Sequence, residues 1–146
     1  MGSRQCFVCG ADNPFGLHLE FFRQDDGVYA SFQCEERHVG WPGIQHGGIT
    51  SALLDEASAY IPYYLGLIAV TAQLTVTYVE PVRIGEHLEI KARLVRKTRK
   101  VLDVEATIAN DRGSLKAKSQ AKMMVLSEEQ KQQIGLFSQT TAGSET

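Results

Sequence analysis

Apolar and polar residues alternate along most of this chain, and one stretch breaks the alternation. Leu17, Leu19 and Phe21 alternate with His18, Glu20 and Phe22, and Val28, Ala30, Phe32 and Cys34 with Tyr29, Ser31 and Gln33. Successive side chains of a strand point to opposite faces, so this period predicts two strands with one apolar face each. Asp25-Asp26-Gly27 between them is a hairpin signal. Further on, Val70, Ala72, Leu74, Val76 and Tyr78 oppose Thr71, Gln73, Thr75 and Thr77, and Pro81 and Gly85 end that run. Leu88, Ile90, Ala92 and Leu94 then oppose Glu89, Lys91 and Arg93. Leu102, Val104, Ala106 and Ile108 oppose Asp103, Glu105 and Thr107. After the turn Asn110-Asp111-Arg112-Gly113, the residues Leu115, Ala117, Ser119, Ala121 and Met123 oppose Lys116, Lys118 and Lys122.

The exception is the run from Gln45 to Tyr60, apolar nearly all round from Ile49 onward. That pattern predicts a helix buried on most sides, spanning about Gly47 to Tyr64, with Pro62 kinking or finishing it. Ser51, Asp55 and Ser58, at i, i+4 and i+7, form its thin polar stripe, with Thr50 and Glu56 alongside. One sheet with one greasy face needs a cover, and this helix is the only candidate. The expected fold is therefore α+β, an antiparallel sheet with the late strands as a meander around one central helix. Mixed charges on the outer face, such as Glu89, Lys91 and Arg93 with Asp103 and Glu105, are placed to pair across strands. Residues 1–126 make one domain; a short helix follows Ser127, and Ser138 to Thr146 reads as a disordered tail.

Composition narrows function mainly by exclusion. A net charge of -2 gives no general pull towards nucleic acid or membrane. No apolar run approaches membrane-spanning length, no charged-then-apolar leader opens the chain, and Cys6 stands where an acylation signal needs Ser or Thr. The expected location is cytoplasmic. Three cysteines with one Cys6-x-x-Cys9 pair are too few for a disulfide framework. The pair can also be read as half a zinc site completed by Cys34, His18 or His38. No second close pair follows, so the reading is reduced structural thiols and no metal.

The chemistry concentrates at the helix. Gly47 and Gly48 stand at its start, where unpaired N–H groups favour negative charge. Asp55 is a carboxylate on a mostly buried element, a costly placement unless it is paired or put to work. The bland alternatives stay open: Asp55 as the wet edge of the helix, the glycines as a tight turn, His46 as a cap, and Thr71 as an ordinary strand residue.

These residues also carry a resemblance. A strand pair, a loop with His46-Gly47-Gly48, a buried helix with Asp55 nine positions after the histidine, and then long strands resemble the hotdog-fold acyl-coenzyme A thioesterases of the phenylacetate-pathway type. Thr71 to Pro81 with Gly85-Glu86 is similar to that family's strand-and-proline segment. Cys6-Phe7-Val8-Cys9-Gly10 with Asn13-Pro14-x-Gly16-Leu17 is similar to one branch of it. The resemblance covers roughly Cys6 to Leu126 and implies hydrolysis of small acyl-coenzyme A thioesters at a subunit boundary, in a dimer or a dimer of dimers. It assigns Asp55 to activate water or attack directly, Gly47 to donate to the oxyanion, His46 to orient or polarise, and Thr71 to bond the nucleophile or water. It further implies that Gly48 permits close substrate approach, that Glu56 is a second acid in the pocket or pairs with a neighbouring subunit, and that Trp41 and Tyr60, with Tyr63 and Tyr64, line an acyl pocket. Arg96, Lys97 and Arg99, with Lys100, would receive the phosphates of coenzyme A. No cofactor is implied beyond the coenzyme A of the substrate. Gly40 departs from the pattern, for related enzymes often hold an Asn there to orient the nucleophile or water; Gln45 or His38 are the stand-ins the sequence offers. The rivals are a non-catalytic acyl-coenzyme A binder, a hydratase of the same fold, and a zinc-stapled interaction module built on Cys6 and Cys9. A hydratase wants a His following the Asp on or beside the helix, and the only later His is His87, in a strand.

Overall fold

The computed structural model describes residues 2–135, so the expected tail from Ser138 lies outside the described residues. Six antiparallel strands form one sheet: β1 (Phe22–Gln24), β2 (Gly27–Gln33), β3 (Ala69–Tyr78), β4 (His87–Lys97), β5 (Val101–Asn110) and β6 (Leu115–Val125). Their spatial order is β1-β2-β4-β5-β6-β3. Helix α1 (Gly47–Tyr64) lies across the concave face, and a short helix, α2 (Glu128–Gln133), follows the last strand. Leu53, Leu54 and Ala57 of α1 are sealed against Leu88, Ile90, Leu102, Val104, Ile108 and Met123. Each such large side chain stabilises the fold by about 1.5–3 kcal/mol relative to exposure.

The helix takes the span its sequence predicts. It begins where His46 caps the first turn and runs two residues past Pro62, which lacks only one amide proton and sits in the final turn. Gly66 then adopts φ 73°, the left-handed conformation that commonly closes a helix. Ser58 differs from expectation: it is fully buried and donates to Leu54 O, so the polar stripe reduces to Ser51 and Asp55.

The strands depart from expectation in three ways. Leu17, Leu19 and Phe21 are buried as their alternation requires, yet only Phe22–Gln24 pairs with β2. His18 takes φ 55°, and the Leu17 and Leu19 N–H groups bond Phe7 O and Val8 O of the N-terminal segment instead. Second, β3 is not part of the meander; it pairs with β6 at the far edge, and the chain returns through residues 79–86 to enter β4 beside β2. Third, two bulges reverse the expected facing of single residues. One extra residue in a strand rotates those beyond it to the other face. A bulge between Thr71 and Gln73 puts Thr71, opposite buried Met123, on the same face as Leu74 and Val76, towards the helix. A second bulge, where Ile108 and Ala109 pair Ala117 and Leu115, turns Lys116 inward. Its ammonium meets Glu86 at 3.1 Å, Glu80 at 3.5 Å and Pro81 O at 3.2 Å. The other lysines of that strand keep the outer face, where Arg93 pairs Glu105 at 2.8 Å.

Candidate active site

The loop entering α1 is fixed before the helix starts. Trp41-Pro42-Gly43-Ile44 is a turn closed by Ile44 N–H to Trp41 O, with Pro42 in second place and Gly43 at φ 77° in third, the preference of a type II turn. Gly40 N–H bonds Ile44 O, and Val39 bridges Gln45. This folding brings Gly40 so near His46 that a Cβ at position 40 would stand 2.9 Å from His46 Cα. The absence of Asn at this position is therefore built into the backbone. Neither proposed stand-in is free to hold a nucleophile or water: Gln45 is buried with its amide donating to Thr50 Oγ1 in the first turn of α1, and His38 is buried against Phe32. Burial and the neighbouring Arg37 hold the His38 imidazole below its ordinary pKa.

His46 is the N-cap. Its Nδ1 accepts the Gly48 N–H at 2.8 Å, which puts the ring proton of the neutral imidazole on Nε2. A Cβ on residue 48 would lie 3.0 Å from that Nδ1, so the glycine makes room for the imidazole. With the Gly48 donor taken, the exposed N–H of Gly47 is left at the positive end of the helix. Tyr78 of β3 anchors this end: its hydroxyl donates to Gly47 O at 3.0 Å and therefore accepts from Ser51 Oγ at 2.6 Å. A cleft of about 490 Å³ opens alongside, lined by Trp41, Gly47, Thr50, Tyr78, Pro81 and Lys116 among others.

Asp55, half-buried, accepts a hydrogen bond from Thr71 Oγ1 at 2.8 Å through Oδ1. Its other oxygen has no protein donor among the described residues. Asp55 and Gly47 are eight residues apart on one helix, about 12 Å along its axis. They cannot serve one carbonyl within a single chain. Asp55 sits by the start of β3 and Gly47 by its end, and β3 is an open edge with Val70 and Tyr78 exposed.

Other expected residues fall elsewhere. Tyr60 is buried, stacked on Phe21 at 4.4 Å with Tyr63 and Tyr64 around it, and does not line the cleft with Trp41. Glu56 points away from Asp55 and accepts from the thiols of Cys9 at 3.1 Å and Cys6 at 3.6 Å. No spacing rule links residues so distant in sequence, so this convergence was invisible before folding. Cys34, His18 and His38 are not part of that group. Burial pushes the Cys34 thiol up to about 11, and it is also sealed from solvent. Arg96, Lys97 and Arg99 are exposed at the β4–β5 hairpin, at the same end of the sheet as Thr71.

Residues 42–117 match the thioesterase superfamily model, slightly more than half of the sequence, and the chain belongs to that superfamily. Its fold is the hotdog fold. Among curated relatives, mouse (Mus musculus) acyl-coenzyme A thioesterase 13 is 30% identical over 85 residues, 57% of this chain. The chain spans 61% of the length of that relative. A Streptococcus pneumoniae hypothetical thioesterase solved with coenzyme A superposes with a TM-score of 0.69 at 27% identity, covering 73% of this chain and 87% of that one. A Streptococcus mutans protein solved bound to acetyl CoA gives 0.70 at 26%, covering 74% and 88%. The Escherichia coli PaaI protein shares the fold, with a TM-score of 0.72 at 21% identity over 76% of this chain and 81% of its own. No described helix is long and apolar enough to cross a membrane.

Proposed function

We propose that this protein hydrolyses acyl-coenzyme A thioesters in a site completed by a second copy of the chain. The observation that carries the reading is the Thr71–Asp55 hydrogen bond, made at the open edge of the sheet where a bulge turns Thr71 towards the helix. A two-fold pairing of β3 edges centred between Leu74 and Thr75 would set Thr71 of one copy opposite Tyr78 of the other. Asp55 would then face the Gly47 N–H across the boundary, the separation that a single chain forbids. In that arrangement Asp55 activates water or attacks the carbonyl, and the Gly47 N–H receives the developing oxyanion. His46, with its proton on Nε2, is a second donor at the same end. The cleft beside Trp41 accommodates the acyl group, and the basic hairpin carrying Arg96, Lys97 and Arg99 is the candidate for the phosphates. The coenzyme A and acetyl CoA in the two streptococcal structures support this ligand class.

The test is a panel of acyl-coenzyme A thioesters with detection of free thiol, run beside Asp55→Asn. Turnover by the native protein and its loss in a folded Asp55→Asn is the expected pair of results. Saturable binding without thiol release would make the protein a binder, and undiminished turnover by the variant would remove Asp55 from the mechanism.

A further inference from the structure

We propose that Cys6, Cys9 and Glu56 form a zinc site that staples the N-terminal segment to the outer side of α1. The ligating atoms of all three lie within 4.8 Å of one another, and both sulfurs converge on a single oxygen, Glu56 Oε1. For tetrahedral zinc with Zn–S about 2.3 Å and Zn–O about 2.1 Å, the S···O edge is about 3.6 Å. The observed 3.6 and 3.1 Å leave only small adjustments. Two thiolates with a carboxylate suit zinc rather than calcium or magnesium, which take all-oxygen shells. The fourth position falls to water.

Two further observations point the same way. Glu56 is a half-buried carboxylate held by two thiols, which are weak donors, and among the described residues no cation pairs with it. A charge so placed lacks a counter-ion. The Cys6–Gly10 turn is also shaped around its sulfurs. Gly10 N–H bonds Cys6 O at 2.9 Å, and a Cβ at Gly10 would stand 2.4 Å from Cys6 N, so only glycine lets the turn close this tightly. Tyr60 lies one turn beyond Glu56, near Cys9. Binding converts each thiol to thiolate and releases its proton to solvent. The site tethers Phe7 and Val8, to which Leu17 and Leu19 bond, and so secures the segment that pads the helix. This departs from the metal-free reading of the sequence, which sought partners in Cys34, His18 and His38.

The test is metal analysis of the purified full chain, followed by Co²⁺ titration of chelator-treated protein. Expected results are about one zinc per chain, thiolate-to-cobalt charge-transfer absorption, and a chelator-induced drop in Tm. Cys6→Ser and Cys9→Ser should each weaken metal affinity by more than the roughly 10–100-fold that loss of an outer-shell partner costs, while Glu56→Gln should weaken it with the thiolate bands retained. Wild-type protein that takes up no more metal than the Cys6→Ser/Cys9→Ser double variant would overturn the proposal, as would wild-type thiols that react at the same rate with and without zinc. The thiol measurement needs no variant to fold. The metal takes no part in the hydrolysis proposed above, so metal-free protein should keep its turnover at low temperature, and either idea can fail alone.

Discussion

Thr71 Oγ1 donates to Asp55 Oδ1 at 2.8 Å, tying the edge strand β3 to the middle of α1. The bond leaves the second carboxylate oxygen open and fixes the direction in which it points. Strict alternation would have aimed Thr71 away from the helix; the bulge beside Gln73 turns it inward.

Thr71→Val keeps the shape of the side chain and removes the donor. A hydrogen bond to a charged group is worth about 1.5–3 kcal/mol, so kcat should fall roughly tenfold to a hundredfold. Asp55→Asn should lower it by about 10²–10⁴. Thermal melting beside thiol-release kinetics checks this: a Tm that falls with the rate would make the Thr71 bond structural.

The Gly47 N–H can be deleted without disturbing the helix. Proline is favoured at the first helical position, and His46 at φ -58°, ψ 133° already has the extended ψ that a following proline demands. The nearest atom to an added Cβ is Tyr78 Cε1 at 3.5 Å, an ordinary contact. Gly47→Pro should therefore melt like the native protein while kcat drops by about 10²–10³. Co-refolding it with Asp55→Asn gives a sharper result. A mixed dimer contains one boundary with both native groups, so random pairing should recover about a quarter of native activity. No recovery from two folded parents that form mixed dimers would overturn the pairing of Asp55 with Gly47 across the boundary.

How far the chain could be read before folding depended on whether water marked the pattern. β4 and β5 were legible because Leu88, Ile90, Leu102 and Val104 face the core while Glu89, Lys91 and Asp103 do not. The helix was legible because Gly47 and Pro62 bracket an apolar run. The pairing of β3 with β6 was not, since strand order depends on contacts between distant residues. Thr71 and Lys116 were misplaced because one extra residue breaks a period of two without any local signal. Glu56 could be read as a second pocket acid only while its partners, almost fifty residues earlier, were unknown. Within the site, His46, Gly47 and Asp55 stand on one helix as expected, while Tyr60 was lost to the core.

Restoring the familiar Asn at position 40 should harm the protein. The side chain would begin 2.9 Å from His46 Cα and 3.3 Å from His46 Cβ, pushing the cap away from Gly48. Gly40→Asn should cost roughly 1–3 kcal/mol of stability, as overpacking does, and lower turnover rather than raise it. Denaturant unfolding with kinetics on the same preparation checks both. A variant that is faster and equally stable would mean the loop relaxes to accept the side chain.

The ion pair under the β3–β4 connection makes stability depend on acid. Burial alone would push the Glu86 carboxyl up, but the Arg83 N–H, Asn110 and Lys116 together outweigh it and hold the group below its ordinary value. A carboxylate depressed in the folded state binds its proton more readily when unfolded. Its stabilisation is therefore complete above the unfolded-state pKa, about 4.3, and is lost as pH falls from there through the folded value. Glu86→Gln should lower stability near neutral pH by roughly 3 kcal/mol, because Lys116 stays buried with only Glu80 and the Pro81 carbonyl beside it. The variant should then lose less stability than the native protein between neutral pH and acid. Replacing both partners, as in Glu86→Leu with Lys116→Met, should recover much of the loss, since an apolar pair leaves no lone charge to desolvate. Urea unfolding of the three proteins at neutral and acid pH reads all of this, and parallel pH profiles for native and Glu86→Gln would show that Glu86 titrates alike in the folded and unfolded chain.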